Sequence, residues 1–122
     1  MEDILRKLIS FPTITGHAQP MHELLEYVSS FVIARGMHVE RYMSDGYESL
    51  VATTKPGDKQ PTIMLTAHAD VVDAPDEQFD LQCFDGKYFG RGVLDMKGAL
   101  AAFMQVIDDL QTELPTLSIG LM

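Results

Sequence analysis

The apolar positions of this chain change their period several times, and each change marks a boundary between elements. Ile4, Leu5, Leu8 and Ile9 follow helical spacing and stop ahead of Pro12, which predicts a short N-terminal helix. Ser10–Pro20, with Gly16 and two prolines, reads as a loop. A second helix carries Met21, Leu24, Leu25, Val28, Phe31 and Val32 on one face, and Gly36 is placed to end it in the left-handed region. Met37, Val39, Arg41 and Met43 alternate with His38, Glu40 and Tyr42, the pattern of a half-buried strand. Ser49–Thr54 reads as a further strand and Lys55-Pro-Gly-Asp58 as a turn. Thr62–Ala67 is continuously apolar apart from its threonines, which predicts a strand covered on both faces. Ala69–Phe84 reads as loop, and Asp85-Gly86 as a two-residue hairpin turn. From Met96 to Leu114 the positions Leu100, Phe103, Ile107, Leu110 and Leu114 predict a helix stopped by Pro115, followed by an apolar strand over Thr116–Met122. The order of elements predicts an α/β layered domain, a class that places ligand chemistry at the carboxyl ends of its strands.

Composition narrows the function classes. With 122 residues and 46% apolar positions the chain can bury a core. Eighteen acidic against nine basic residues, with no basic stripe, argue against nucleic acid and anionic membrane as partners. No apolar run approaches a membrane span, and Met1-Glu-Asp3 lacks the order of a signal peptide. A lone cysteine, Cys83, excludes an internal disulfide and favours a reducing, cytoplasmic setting; beside the hairpin turn it reads as a half-buried structural thiol.

Several short motifs give way to bland readings. His22-Glu-Leu-Leu-Glu26 lacks the second histidine of a zinc-protease helix and reads as a solvated helix face. Gly90-Arg-Gly92 resembles a phosphate loop, but Asp95 stands where the third glycine would be, and a carboxylate there repels a pyrophosphate. Asp70, Asp73, Asp76, Glu77, Asp80 and Asp85 form an acidic tract that does not match a calcium loop.

Two segments carry more. Thr66-Ala-His68-Ala-Asp70 lies at the end of the apolar strand, where residues two apart share a face. A metal-bound imidazole needs an acceptor on its other nitrogen, and Asp70 is placed to be one. A surface pair at a strand end is the alternative. In Gly90-Arg-Gly-Val-Leu-Asp95-Met-Lys-Gly98, Gly90, Arg91 and Gly92 form a supporting loop that brings Asp95 to the start of a helix. There it is either an ordinary N-cap or a carboxylate able to bridge two cations.

Together, His68-Ala-Asp-Val-Val72 and Gly90–Gly98, about 25 residues apart, resemble the metal-dependent amidohydrolase and exopeptidase family of acetylornithine deacetylase, succinyl-diaminopimelate desuccinylase, carboxypeptidase G and aminoacylase. The resemblance extends over the N-terminal helices, the Ser10–Ile14 loop and the order of strands. It implies that 1–122 is the N-terminal part of a mixed-sheet, helix-flanked zinc-peptidase catalytic domain. It implies His68 as a zinc ligand, Asp95 as a bridge between two zinc ions (cobalt is an alternative metal), and Asp70 as the catalytic-site aspartate that orients His68. It also implies a cis peptide at Asp95–Met96, a small-molecule N-acyl amino acid or peptide substrate, and a homodimeric full-length protein. The family's general base, a glutamate in a Glu-Glu pair after the next strand, has no counterpart here: after Asp95 the acidic residues are Asp108, Asp109 and Glu113, and no histidine follows His68. The expectation is therefore an N-terminal fragment, inactive by itself, of an enzyme hydrolysing an amide bond. The loop over 72–84 lacks the family's usual tryptophan, and Val93-Leu94 stand where small residues are usual, so no particular substrate is favoured. A non-catalytic α/β interaction module or decayed homologue is the reading from another class. The related aminopeptidases with cocatalytic zinc fit the Gly-Arg-Gly-x-x-Asp-Met-Lys-Gly stretch less well.

Overall fold

A computed structural model describes all residues, Met1–Met122. Helix α1 (Glu2–Ile9) buries Ile4, Leu5, Leu8 and Ile9, as its spacing predicts. Helix α2 (Ala18–Ile33) begins two residues ahead of Pro20, inside the stretch read as loop. The proline costs nothing there because N–H groups of a first turn have no intrahelical acceptor. Gly36, at φ +83°, ends the helix and Met37 folds back, its N–H donating to Val32 O at 3.1 Å.

Strands β1 (His38–Ser44) and β2 (Tyr47–Thr53) form an antiparallel hairpin. Its turn is Asp45-Gly46, both with positive φ, the conformation that matches the twist of paired strands. Strand β3 (Ile63–Leu65) follows the turn at Lys55–Asp58. A short hairpin, β4 (Gln82–Phe84) and β5 (Lys87–Phe89), turns at Asp85-Gly86 as predicted. Helix α3 (Lys97–Asp109) is followed by a 3-10 turn at Leu114–Thr116 and strand β6 (Ile119–Leu121). The helix thus stops five residues short of the predicted Leu114, which lies buried in the 3-10 turn; its apolar side chain continued the helical period without being helical.

The main sheet has the order β1-β2-β6-β3, antiparallel except for the parallel pair of β3 and β6. It is mixed, as expected. One expectation is corrected: β3 is an edge strand, with Ile63 52% exposed and Met64 39% exposed, and β6 is the interior one. An apolar run reports hydrophobicity but not which strand will flank it. Helix α2 packs on β1 and β2, and α1 packs on α3. A single core joins Leu8, Ile9, Leu24, Val32, Leu50, Ala52, Met104, Ile107, Ile119 and Leu121. Each large side chain there contributes about 1.5–3 kcal/mol by leaving water. Cys83 is exposed, contrary to the half-buried reading.

Candidate functional site

The carboxyl end of β3 and the approach to α3 meet at one place. The Nε2 of His68 lies 3.0 Å from Asp95 Oδ1, although the two residues are 27 apart in sequence. On the other side of the ring, Nδ1 faces Asp70, 3.1 Å from its backbone carbonyl and 3.2 Å from Oδ1. The imidazole is therefore held between two carboxylates. Burial is the largest single influence on His68 and lowers its pKa, but the hydrogen bonds to Asp95 and to the Asp70 carbonyl, with the charge of both carboxylates, outweigh it and leave the pKa raised.

The alternative role of Asp95 as a helix cap is not the one adopted. Met96 occupies the N-cap position of α3 without a side-chain cap, and Asp95 turns to His68 with 82% of its side chain exposed. The Asp95–Met96 peptide is cis, as the resemblance implied. The glycines around it have separate duties. Gly92 has φ +91°, and a Cβ there would lie 3.0 Å from Lys97 Cδ and 3.1 Å from Val71 Cγ1. At Gly98 a Cβ would lie 2.2 Å from the carbonyl oxygen of Val93, so that position admits no side chain at all. Arg91 donates its backbone N–H to Gln78 O at 2.7 Å, and its side chain lines a pocket of about 130 Å³ with Thr15, His68, Asp70 and Asp95.

Three residues not singled out from sequence complete the frame. Thr15 Oγ1 donates to Asp70 Oδ2 at 2.8 Å. Thr13, fully buried, donates its hydroxyl to Ala69 O, and Ile14 forms a parallel bridge with Val71. Lys97, also fully buried, donates from Nζ to Phe11 O at 2.6 Å, and burial pushes its pKa down to about 8. These contacts span 55 to 86 residues, so no local pattern announces them. Of Thr13, Thr15 and Lys97, only Lys97 stands inside one of the two motifs, Gly90–Gly98.

His22 and Glu26, weighed as a helix face, belong to an ion-pair cluster between α2 and the β1–β2 hairpin, whose His22 and Glu48 line one cavity with His68 and Asp70. His22 Nδ1 lies 2.9 Å from Glu48, and Arg41 bridges Glu26 at 2.9 Å and Glu48 at 2.6 Å, tying α2 to the hairpin. The acidic residues Asp73, Asp76, Glu77, Asp80 and Asp85 are exposed, as read.

The donor chemistry at His68 and Asp95 fits a zinc ion. Imidazole nitrogen and carboxylate oxygen are zinc donors, and two donors on one tetrahedral zinc stand about 3.3 Å apart, close to the 3.0 Å between Nε2 and Oδ1. Metal-bound histidines characteristically place an acceptor at their other ring nitrogen, and Nδ1 here has the Asp70 carbonyl at 3.1 Å.

Residues 64–122 match the model of peptidase family M20/M25/M40, a stretch that includes both motifs. That stretch, just under half of the chain, is similar to that family. Similarity to known proteins extends upstream of the matched residues. The chain is 32% identical over 116 residues to succinyl-diaminopimelate desuccinylase of Rickettsia canadensis (strain McKiel), covering 87% of this chain and 29% of the relative. It is 31% identical over 122 residues to the desuccinylase of a Nitratiruptor species, covering 96% of this chain and 32% of the relative. The chain thus spans about three tenths of the length of these relatives. The fold is shared with human carnosine dipeptidase 1 (TM-score 0.79, 16% identity, 98% of this chain and 30% of that one). It is shared as well with the M20 family metallo-carboxypeptidase Sso-CP2 of Sulfolobus solfataricus (TM-score 0.72, 20% identity, 96% of this chain and 28% of that one). No helix is long and apolar enough to cross a membrane.

Proposed function

We propose that this chain is the N-terminal part of the catalytic domain of a zinc-dependent enzyme that hydrolyses an amide bond in an N-acyl amino acid or small peptide. The observation that carries the reading is the 3.0 Å approach of His68 Nε2 to Asp95 Oδ1, with Asp70 on the far side of the ring. In this reading His68 and Asp95 would hold the metal, and Asp70 would orient His68. When bound, zinc supplies an acidified water and polarises the amide carbonyl. The protein's own part is to present the ligands in the right protonation state. Asp70 holds the proton on Nδ1, which leaves Nε2 as the nitrogen with the lone pair.

Two donors do not close a zinc site, which takes three protein ligands or four. Asp108 and Asp109 lie at the far end of α3, about 20 Å of helix from Asp95, and Asp108 is engaged with Arg35 at 2.7 Å. Neither can serve as a further ligand or as the general base. In this reading the remaining ligands and the general base come from sequence outside 1–122, a reading supported by relatives of which the chain spans about three tenths, and the segment alone is inactive. The desuccinylase names of those relatives support an N-acylated amino acid as substrate, and the unpaired Cys83 suits a cytoplasmic enzyme.

The test is hydrolysis of N-succinyl and N-acetyl amino acids and of dipeptides by the full-length protein, with zinc content measured alongside. Asp95→Ala should abolish both hydrolysis and stoichiometric zinc. Full activity in that variant would remove Asp95 from the site. Absence of hydrolysis by the zinc-loaded wild type across the panel would favour a non-catalytic module.

A further inference from the structure

We infer that Thr15 is a positioning residue for the site: its hydroxyl fixes the rotation of the Asp70 carboxylate and through it the imidazole of His68. The inference rests on the assignment of His68, Asp70 and Asp95 proposed above.

The side chain of Asp70 is 43% exposed, so packing does not hold it. The terminal torsion of an aspartate is broad and nearly two-fold, and a carboxylate at a partly solvated site rotates readily unless its oxygens are engaged. In this structure each oxygen has its own partner. Oδ1 faces His68 Nδ1 at 3.2 Å, and Oδ2 accepts the Thr15 hydroxyl at 2.8 Å. No other protein donor reaches Oδ2. The Thr15 hydroxyl has a second acceptor within reach, Val71 O at 3.3 Å, but it owns a single proton. The shorter contact to an ionised oxygen is the stronger of the two and takes that proton.

A positioning group is useful only if it is itself fixed, and Thr15 is. Its N–H donates to Val71 O at 3.0 Å, and Val71 N–H donates to Thr13 O at 2.9 Å. The buried hydroxyl of Thr13 holds Ala69 O. The segment Thr13–Thr15 therefore runs beside Ala69–Val71 as a two-sided clamp on the backbone that flanks Asp70. Its beginning is anchored by Lys97, two residues after Asp95, through Phe11 O. One loop thus touches both motifs and sets where the Asp70 carboxylate points relative to Asp95.

The magnitude is bounded by the geometry. Loss of an outer partner of a metal-bound histidine lowers metal affinity or activity about 10–100-fold. Thr15 acts one bond further out, and the Asp70 backbone carbonyl also reaches Nδ1. The expected effect therefore lies near the lower end of that range.

The experiment compares wild type, Thr15→Val and Thr15→Ser in the full-length protein. Zinc affinity is measured by calorimetry, and kcat and KM are measured on the same samples. Valine keeps the branched shape and removes the donor. Zinc affinity and kcat should each fall about tenfold with KM unchanged, and Thr15→Ser should restore both. A purely structural role would instead lower the melting temperature without this split and without rescue by serine. Wild-type zinc affinity and kcat in Thr15→Val would overturn the inference; should valine not fold, Thr15→Ala decides by the same measurements. His68→Ala and Asp95→Ala separate the two levels. If both leave zinc affinity intact, the metal-site reading has failed; if they abolish it while Thr15→Val is silent, Thr15 alone is dismissed.

Discussion

The buried ammonium of Lys97 donates to the carbonyl oxygen of Phe11 at 2.6 Å, across 86 residues of sequence. This contact closes the space between the loop after α1 and the start of α3, with the candidate site on its rim. Lys97→Met keeps the length and apolar stem of the side chain and removes the donor. The carbonyl keeps the Thr13 N–H at 2.9 Å, so the loss is that of one hydrogen bond from a charged donor, about 1.5–3 kcal/mol, and the Thr15 and Val71 amides should exchange faster with solvent. Unchanged exchange at both amides would show that the loop is held by other means.

Gly98 gives a test against ordinary helix propensity. In an exposed helix interior, glycine to alanine gains about 1 kcal/mol. Here the new Cβ would sit 2.2 Å from Val93 O, a backbone atom that cannot step aside. Gly98→Ala should therefore lose stability, by about 1–3 kcal/mol in the manner of overpacked sites. A melting temperature at or above that of the wild type would contradict this packing.

The ion cluster between α2 and the β1–β2 hairpin sets an acid limit. The hydrogen bond from His22 holds the Glu48 carboxyl below its usual pKa against the opposing effect of burial, and Arg41 adds to it. A folded-state pKa below the unfolded one stabilises the protein above about pH 4.5, and this contribution is lost as pH falls through the folded value. Glu48→Gln should be less stable than wild type at pH 6, by about 0.5–1 kcal/mol. The difference should narrow steadily as pH falls below 4.5 in denaturant titrations. A gap that does not narrow at all on acidification would mean that Glu48 acts through packing and not through its charge.

Removal of Asp70 should be milder than removal of either proposed ligand. In the full-length enzyme Asp70→Ala is expected to lower zinc affinity or kcat about 10–100-fold, whereas His68→Ala removes a coordinating atom and should abolish stoichiometric zinc. Equal losses in the two variants, read as zinc content after dialysis, would place Asp70 on the metal itself.

Much of the architecture was legible where periodicity was long or turn chemistry explicit. The apolar stripes predicted α1 and most of α2 and α3, and Asp85-Gly86 announced its hairpin. Asp45-Gly46 offered the same dipeptide but stands between an alternating strand and one whose start, Tyr47-Glu-Ser49, is exposed or half-buried, so its strand character is weak. The position of β3 at the sheet edge was not legible, because strand neighbours are set by the crossover through α3. Likewise the site was half legible. His68, Asp70 and Asp95 stand in motifs whose spacing carries chemistry. Thr13, Thr15 and Lys97 contribute through contacts that exist only once distant segments meet.

That last point bears on synthesis. The Phe11–Thr15 loop leaves the ribosome early, yet its partner Lys97 follows 86 residues later. At 5–20 residues per second that delay is about 4–17 seconds. For the first 56 or so residues of it the loop has neither the strand end nor the lysine to bind, and for the rest it has only the strand end. The candidate site therefore assembles late, when α3 docks, and the chain spends its first seconds with the apolar face of α1 uncovered.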